Sequence, residues 1–355
     1  MSGTDYGKEA YLKVEELMKR IKALEAENSG EERDIDLSFD IFINGSVEKT
    51  VDFYSYEEGE GGIYAEIPSD AQLYLNGTIL PSVDGVVEGV LPFKKGKNSI
   101  RSVFAQSVGE NVSCIIKVSG KVEDRLIGRL LCPVGGDYYS YSDGDYYAVY
   151  KIGENSPALT LYGVGYASAR YEDGEIVVAF TDEVGNMTIR RYDLIGRYTS
   201  RSVSGNNYGK FAIRTEGERI YLYGIKGNYL WAGFIGDNGS IVDSKTGLRA
   251  KEVSFGTFGA AAKGLLVTDV DGNIGACVLS SVDPLTVSSR IGAGIKNNAD
   301  FYNDGISYSK DGSAFLLLFR GNKFSAAGEI CVADEAIKTE SGRTVVRKGR
   351  KIQIL

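Results

Sequence analysis

Apolar and polar residues alternate along much of this chain, and that alternation predicts β-strands. The clearest run is Ile35, Leu37, Phe39, Ile41 and Ile43, with polar residues between them, which is the period of a half-buried strand. Further β-type runs cover residues 71–75, 86–91, 99–105 and 113–118. Together they predict a β-sandwich of about 90 residues.

A second pattern repeats five times between residues 144 and 323. Each unit has a Gly, a β-type run, an Asn placed like that of a Gly-Asn turn, and a second β-type run. The units are Gly144–Asn155, Gly174–Asn186, Gly217–Asn228, Gly264–Asn273 and Gly312–Asn322. Turns that need positive φ select Gly and Asn, so each unit is predicted to be a β-hairpin.

The spacing of the units indicates a five-bladed β-propeller. Successive Asn residues are 31, 42, 45 and 49 positions apart, close to the roughly 40 to 50 residues of a four-stranded blade. A β-solenoid is the alternative, but its coils are shorter and more uniform. The 31-residue first interval predicts that the first blade lacks its outer strand, and that residues 343–355 supply a strand to close the ring.

The N-terminal residues show a different, heptad-like period. Val14, Ile21 and Asn28 occupy a positions, and Leu17 and Leu24 occupy d positions, which predicts a short coiled coil. Arg20 at g and Glu25 at the following e position allow an ion pair between parallel partners. We therefore predict self-association as a dimer or trimer; a single amphipathic helix lying on a domain is the alternative.

Composition agrees with a turn-rich β-protein. The 355 residues include 45 Gly and 23 Tyr but only 6 Pro, and 25% are charged. The predicted fold class is mainly β, with an N-terminal coiled-coil helix (1–30), an Ig-like sandwich (31–122) and a five-bladed propeller (123–355). The net charge of −8 argues against a nucleic-acid partner, which would require a dense basic surface. The exception is the basic run from Arg343 to Lys351, which is predicted to be a solvated edge or tail, with local electrostatic docking as the alternative.

Candidate chemistry is sparse. The chain has no histidine, which removes the commonest general base and metal ligand. Its four cysteines match no CxxC spacing. Asp137, Asp143, Asp173, Asp304 and Asp311 lie beside Gly in predicted turns, where Asp is expected for its hydrogen bond to the main chain. The segment 267–273 comes nearest to a Ca²⁺ loop and lacks the downstream Glu. We predict a non-enzymatic protein with no cofactor and no metal.

Aromatic residues are the better candidates for a ligand site, because sugar rings stack on exposed Tyr and Trp. Tyr138, Tyr139 and Tyr141 lie in the loop-like first half of a tyrosine-rich run, and Trp231 is the only tryptophan. We predict these four as ligand-binding residues. The alternative for each is packing in the core or between blades.

Nothing at the N-terminus resembles a signal peptide, and no stretch approaches the ~18 apolar residues of a membrane span. We expect the protein to be made and folded in a cytoplasm, without membrane insertion.

Residues 34–120 resemble bacterial immunoglobulin-like repeats. The resemblance rests on Leu73 to Gly77, then Gly85, then Phe93 to Ile100 with its Gly96 and Asn98. It implies a spacer or adhesion module.

The whole chain resembles bacteriophage tail-fibre, baseplate or receptor-binding proteins in its order of modules. The resemblance implies a non-enzymatic virion component, assembled in the bacterial host cytoplasm. The implied partners are other virion proteins and a host surface glycan or protein. The alternatives are a bacterial scaffold whose propeller docks proteins, and a carbohydrate-binding or carbohydrate-active propeller.

Overall fold

The protein is described here by a computed structural model. The structure describes residues 32–43, 45–105, 109–124, 130–143, 146–154, 156–182, 184–205, 207–258, 262–296 and 299–355. The chain forms two compact units, one of residues 1–108 with 112–126, the other of residues 109–111 with 127–355.

The regular elements of the described residues are all β-strands, and this corrects the predicted fold class. We predicted a mainly β fold that included an N-terminal coiled-coil helix. No helix occurs in the described residues, so the fold class of the described part of the chain is all β. The predicted helix, residues 1–30, lies outside them. Within the described ranges there is likewise no helix long and apolar enough to span a bilayer.

The described residues of the first unit form ten strands in two five-stranded sheets. The strands are β1 Arg33–Asp36, β2 Phe39–Ile43, β3 Val47–Ser55, β4 Gly59–Glu66, β5 Ala71–Leu75, β6 Thr78–Leu80, β7 Val86–Phe93, β8 Gly96–Phe104, β9 Glu110–Gly120 and β10 Val122–Glu123. One sheet has the order β1-β9-β4-β7, with β2 also paired to β9; the other has the order β10-β3-β8-β5-β6.

Alternating residues of these strands form the core of the first unit. Along β3 and β8 every second residue is buried, as the period of two requires. Phe53 on β3 contacts Phe93 on β7 with ring centroids 4.9 Å apart, so the two sheets pack against each other. The run 35–43 forms two strands, β1 and β2. Between these strands Leu37 N donates a hydrogen bond to Ile116 O, and Ser38 Oγ accepts one from Ile116 N.

Asn98 links the two turns that carry the immunoglobulin-like motif. Its side chain is fully buried. Its Oδ1 accepts hydrogen bonds from Asn76 Nδ2 at 2.8 Å and Lys94 N at 2.9 Å, and its Nδ2 donates to Lys94 O at 2.8 Å. Asn76 and Gly77 have φ of 51° and 86°, as the predicted turn requires.

Replacing Asn98 with Ala is expected to destabilise the sandwich by about 3 kcal/mol, because it leaves several buried polar groups without partners. Hydrogen exchange at the amides of β5 and β8 measures the loss. The control is Gln72→Ala, an exposed amide whose Oε1 accepts a hydrogen bond from the Tyr74 hydroxyl, with an expected cost of about 0.5 kcal/mol or less. Unchanged protection in Asn98→Ala would contradict the prediction.

The described residues of the second unit form six antiparallel sheets in succession. Blade 1 comprises β11 Leu131–Gly135, β12 Tyr138–Asp143, β13 Tyr146–Lys151 and β14 Pro157–Leu161. Blade 2 comprises β15 Val164–Glu172, β16 Glu175–Asp182, β17 Met187–Tyr192 and β18 Tyr198–Val203. Blade 3 comprises β19 Phe211–Glu216, β20 Arg219–Lys226, β21 Tyr229–Ile235 and β22 Ile241–Arg249.

The remaining blades continue the series. Blade 4 comprises β23 Glu252–Phe258, β24 Ala262–Thr268, β25 Asn273–Val278 and β26 Ile291–Lys296. Blade 5 comprises β27 Ala299–Tyr302, β28 Gly305–Lys310, β29 Ser313–Arg320 and β30 Lys323–Cys331. Blade 6 comprises β31 Glu335–Lys338, β32 Thr344–Lys348 and β33 Lys351–Ile354.

The six sheets form a closed ring. The first strands of the blades contact one another in the cyclic order β11, β15, β19, β23, β27, β31 and back to β11. Apolar clusters fill the junctions from blades 1 and 2 through blades 5 and 6. The second unit is therefore a β-propeller, and our prediction of five blades is wrong for the described residues, which form six.

The five Gly-to-Asn units undercounted the blades because they do not fall at equivalent turns. The turns at Asn186, Asn228 and Asn273 join the second and third strands of their blades, whereas Asn322 lies between a third and a fourth strand. Asn155 falls in sequence between β13 and β14, also a third and a fourth strand. The 31-residue first interval is short for this reason.

The C-terminal residues form a sheet of their own. Strand β32 pairs with β31 on one side and with β33 on the other, while blade 1 has a complete fourth strand in β14. The prediction that residues 343–355 supply a missing strand to the first blade is therefore wrong.

Candidate functional site

Blade 1 has two apolar faces, and its tyrosines are divided between them. Tyr138 and Tyr147 belong to the cluster shared with blade 2, where the Tyr138 ring lies 4.5 Å from that of Tyr171. Tyr139 and Tyr141 point to the opposite face, because side chains alternate along a strand. That opposite face is the one turned towards blade 6, since Asp143, on the same face of β12 as Tyr141, pairs with Arg350 of blade 6.

Tyrosine rings form a continuous layer on the face towards blade 6. Tyr139 stacks on Tyr150 with centroids 5.5 Å apart, and Tyr146 contacts both Tyr141 and Tyr162 at 6.3 and 5.7 Å. The hydroxyls of Tyr146 and Tyr150 are 2.9 Å apart. Tyr139, Tyr141 and Tyr146 are buried, so this layer is part of the core.

Burial keeps these phenols protonated. It raises the pKa of Tyr139 to about 12. It raises the pKa of Tyr141 and Tyr146 well above the ordinary value, with further contributions from Asp143 at Tyr141 and from Tyr150 at Tyr146. Neutral phenols suit a packed layer, because an ionised phenolate would lose its hydration there.

A buried carboxylate joins blade 6 to blade 1. Glu335, 4% exposed, begins β31. Its carboxylate accepts hydrogen bonds from Leu130 N and Leu131 N, both at 3.1 Å, and from Arg347 Nε at 2.8 Å. Arg347, 5% exposed, also lies 3.5 Å from Asp334. We call Glu335, Arg347, Asp334 and the main-chain amides of Leu130 and Leu131 the Glu335 cluster.

Two further contacts hold the same junction. Arg350 Nε lies 3.3 Å from Asp143 Oδ2, and both residues are buried. The turns after β31 and β11 exchange hydrogen bonds, from Glu340 N to Gly136 O at 3.0 Å and from Gly136 N to Glu340 Oε2 at 2.9 Å. The basic run from Arg343 to Lys351 is thus only partly the solvated edge we predicted, because Arg347 and Arg350 are buried in ion pairs.

The predicted ligand-binding residues lie in or beside the core. Tyr138, Tyr139 and Tyr141 are 6%, 6% and 4% exposed. Trp231 is partly buried against the cluster between blades 2 and 3, and Lys226 Nζ lies 4.9 Å from the centre of its ring. The structure does not bring Trp231 together with the three tyrosines. Ligand binding by these residues stays a prediction.

The residues predicted to mediate self-association lie outside the described part of the chain. They are Val14, Leu17, Arg20, Ile21, Leu24, Glu25 and Asn28.

Acidic residues in the hairpins have a local structural role. Asp182 Oδ1 accepts a hydrogen bond from Asn186 N at 2.8 Å, and Asp269 Oδ1 accepts the equivalent bond from Asn273 N at 2.8 Å. The hydrogen bond from the Asn186 side chain is the main cause that lowers the pKa of Asp182. Among the described residues no group of three or more Cys, Asp or Glu is arranged to hold a metal ion.

The propeller channel contains three cavities in line. The cavity near the start of the first strands is about 260 Å³ and is lined by Leu130, Tyr166, Lys210 and Glu252. The cavity near their ends is about 450 Å³ and is lined by Gly135, Thr257, Asn303 and Lys338 among others. A narrow cavity of about 40 Å³ lies between them.

Arg170 on β15 separates the two larger cavities, since it lines both the narrow cavity and the 450 Å³ cavity. Its guanidinium lies 4.7 Å from the ring centre of Phe255 on β23, so it reaches from blade 2 to blade 4. The intervening blade 3 presents the small residue Ala212 to the same narrow cavity. Burial lowers the pKa of Arg170 to about 10, so it stays charged at neutral pH.

Sequence reasoning missed both Arg170 and Glu335. The available signal was a charged residue on the first strand of a blade, because that strand faces the channel or a neighbouring blade. Recognising this signal requires knowing which strand is the first in each blade.

No protein-family model matches this chain, and no curated protein matches its sequence. Among solved structures it is similar to the Dos1 propeller, at 11% identity over 61% of this chain and 75% of that chain, with a TM-score of 0.41. It is also similar to Hsv2 of Kluyveromyces lactis, at 11% identity over 63% of this chain and 72% of that chain, with a TM-score of 0.38.

Proposed function

We propose that this protein is a non-enzymatic binding scaffold, a structural component of a phage virion whose propeller contacts a host surface or a neighbouring virion protein. The observation that carries the non-enzymatic part is the use of four buried ionisable groups. Glu335 accepts hydrogen bonds from Arg347 and from the main chain of blade 1, and Arg350 forms an ion pair with Asp143 across the blade 6 to blade 1 junction. Groups engaged in this way stabilise the ring and are poorly available for proton transfer.

The potential nucleophiles support the same proposal. Burial raises the pKa of Cys114 and of Cys277 to about 12 in each case, which disfavours the reactive thiolate. The chain contains no histidine to act as their base.

The binding part of the proposal rests on the propeller itself. A ring of six blades presents the turns between its strands at both ends of the channel, and such turns can vary without disturbing the ring. The virion part rests on the order of the modules, a sandwich followed by a propeller, which suits a spacer that carries a binding domain.

Two measurements test these parts separately. Mass spectrometry of purified phage particles released from the source cells should detect the chain, and its absence from particles that contain the other structural proteins contradicts the virion role. A glycan array combined with polysaccharide-degradation assays should show binding without turnover or no binding at all. Turnover would contradict the non-enzymatic part.

A further inference from the structure

We propose that the 450 Å³ cavity at the end of the propeller channel, which we call the Arg170 cavity, binds a ligand carboxylate. The proposal goes beyond the scaffold function and does not depend on it. It rests on the geometry of Arg170 and of the polar groups around it.

Arg170 makes few hydrogen bonds for a charged side chain inside the propeller channel. Its Nη1 donates one hydrogen bond, to Pro133 O at 3.4 Å, which is beyond the usual range for N–H to O bonds. Among the described residues it forms no ion pair within 4.0 Å. A guanidinium carries five N–H donors in a fixed planar fork, so most of its donors are available to a ligand in the cavity.

The ring of Phe255 fixes the orientation of that fork. A guanidinium 4.7 Å from the ring centre is held by a cation–π contact, which restrains the side chain without using its N–H donors in the guanidinium plane. The donor edge is therefore arranged in advance for a planar acceptor.

Other polar groups line the same cavity. Lys338 at the end of β31 brings a second positive charge, and Thr257 and Asn303 bring a hydroxyl and an amide. Phe301 supplies an apolar wall. A concave site with an apolar wall and a few polar groups is the usual form of a small-ligand site.

Charge balance favours a carboxylate over a phosphate. Glu340 lines the cavity. Burial lowers the pKa of Arg170, and the carboxylates of Glu340 and Glu172 raise it and so partly offset the effect of burial. A phosphate dianion would be repelled by these carboxylates more strongly than a monoanionic carboxylate would. A carboxylate also matches the guanidinium fork with two parallel hydrogen bonds.

Saturation-transfer NMR on the full chain tests the proposal. The probes are sodium acetate, sodium succinate, an end-capped glycine-rich peptide with one Glu, the same peptide with Gln, and sodium phosphate, all at equal ionic strength. We expect saturable binding of the carboxylates, weaker or no binding of phosphate, and none of the Gln peptide. Tighter binding of the Glu peptide would identify a protein side chain as the source, and tighter binding of succinate a free small molecule.

Variants connect binding to the cavity. Arg170→Gln should weaken carboxylate binding about ten- to hundredfold, as expected for loss of charge-assisted hydrogen bonds, and Lys338→Gln should weaken it less. The matched control is Arg320→Gln, an arginine with a 71% exposed side chain on β29, which should bind like the natural protein.

A measurement on the natural protein covers the case in which Arg170→Gln does not fold. Phenylglyoxal modification of Arg170, followed by peptide mass spectrometry, should be slowed by succinate and not by chloride. Carboxylate binding retained in Arg170→Gln overturns the proposal. So does phosphate binding as tight as that of succinate, or the absence of saturable carboxylate binding together with unchanged modification of Arg170.

Discussion

Glu335→Gln is expected to lower the free energy of unfolding of the propeller by about 3–5 kcal/mol, the usual cost of breaking a buried ion pair from one side. The substitution keeps the shape of the side chain and removes its charge. Arg347, 5% exposed, would lose its closest carboxylate, and the amide could not satisfy all the donors that converge on Glu335. The main-chain bonds to Leu130 and Leu131 would weaken with it.

Thermal unfolding followed by the fluorescence of Trp231, which lies in blade 3, measures this loss. For a unit of this size the midpoint should fall by about 10 °C. The control is Glu329→Gln, an exposed glutamate on β30, with an expected change of about 0.5 kcal/mol or less. A loss below about 1 kcal/mol in Glu335→Gln would show that the Glu335 cluster does not close the ring.

The same measurement on Arg347→Gln and on the double variant tests whether the two charges act together. Arg347→Gln should cost about as much as Glu335→Gln. The double variant should cost less than the sum of the two, because residues that contact each other are not additive. Additive losses would indicate that each side chain acts through other partners.

Among the described residues, a buried ion pair across the junction of blades 6 and 1 distinguishes it from the other five, although polar contacts such as that of Lys210 with Glu252 also cross other junctions. The junctions from blades 1 and 2 through blades 5 and 6 are filled by apolar clusters. The junction of blades 6 and 1 combines the Glu335 cluster, the Asp143–Arg350 pair and a tyrosine layer. It is also the junction between the parts of the propeller most distant in sequence, and directional hydrogen bonds fix one register there.

Local signals in the sequence predicted the β-structure well. The alternation from Ile35 to Ile43 corresponds to β1 and β2, and the Asn76-Gly77 turn has the positive φ values that select those residues. Gly227-Asn228 and Gly321-Asn322 also have positive φ at both positions. These features depend on neighbours in the chain, so a single sequence carries them.

The number of blades could not be predicted from the same signals, because one turn chemistry serves at two places in a blade. A Gly-Asn hairpin joins the second and third strands in blade 3 and the third and fourth strands in blade 5. Blade 6 has no such hairpin: its turns contain Ser341-Gly342 and Gly349-Arg350. The number of Gly-Asn turns therefore reflects the residue preference of a turn and does not give the number of blades.

The tyrosine-rich run was misread for a related reason. Strand β12, with the sequence YYSYSD, is buried along nearly all its length, because blades pack on both of its faces. A strand buried on both faces shows no polar alternation, and its Ser and Asp residues gave it the composition of a loop. The Glu335 cluster could not be predicted from the sequence for another reason, since Glu335 and Leu130 are 205 positions apart.

Alkaline pH is expected to unfold the propeller cooperatively between about pH 10 and 12, because the tyrosine layer must stay protonated. Tyr139, Tyr141 and Tyr146 have pKa values raised by burial. Below pH 10 the folded and unfolded chains both keep these protons, and the stability is fully present. Above pH 10 the unfolded chain releases protons that the folded chain retains, so stability falls as pH rises, by about 1 kcal/mol per tyrosine between pH 10 and 11.

Phenolate absorption and near-ultraviolet circular dichroism recorded together measure this transition. The buried tyrosines should ionise in one step that coincides with the loss of tertiary structure, and Tyr146→Phe should reduce the pH dependence by about one proton. The control is Tyr198→Phe, a residue that is 53% exposed in the folded protein. Gradual ionisation of all tyrosines near pH 10, with the dichroism unchanged, would show that the layer between blades 1 and 6 is open to water.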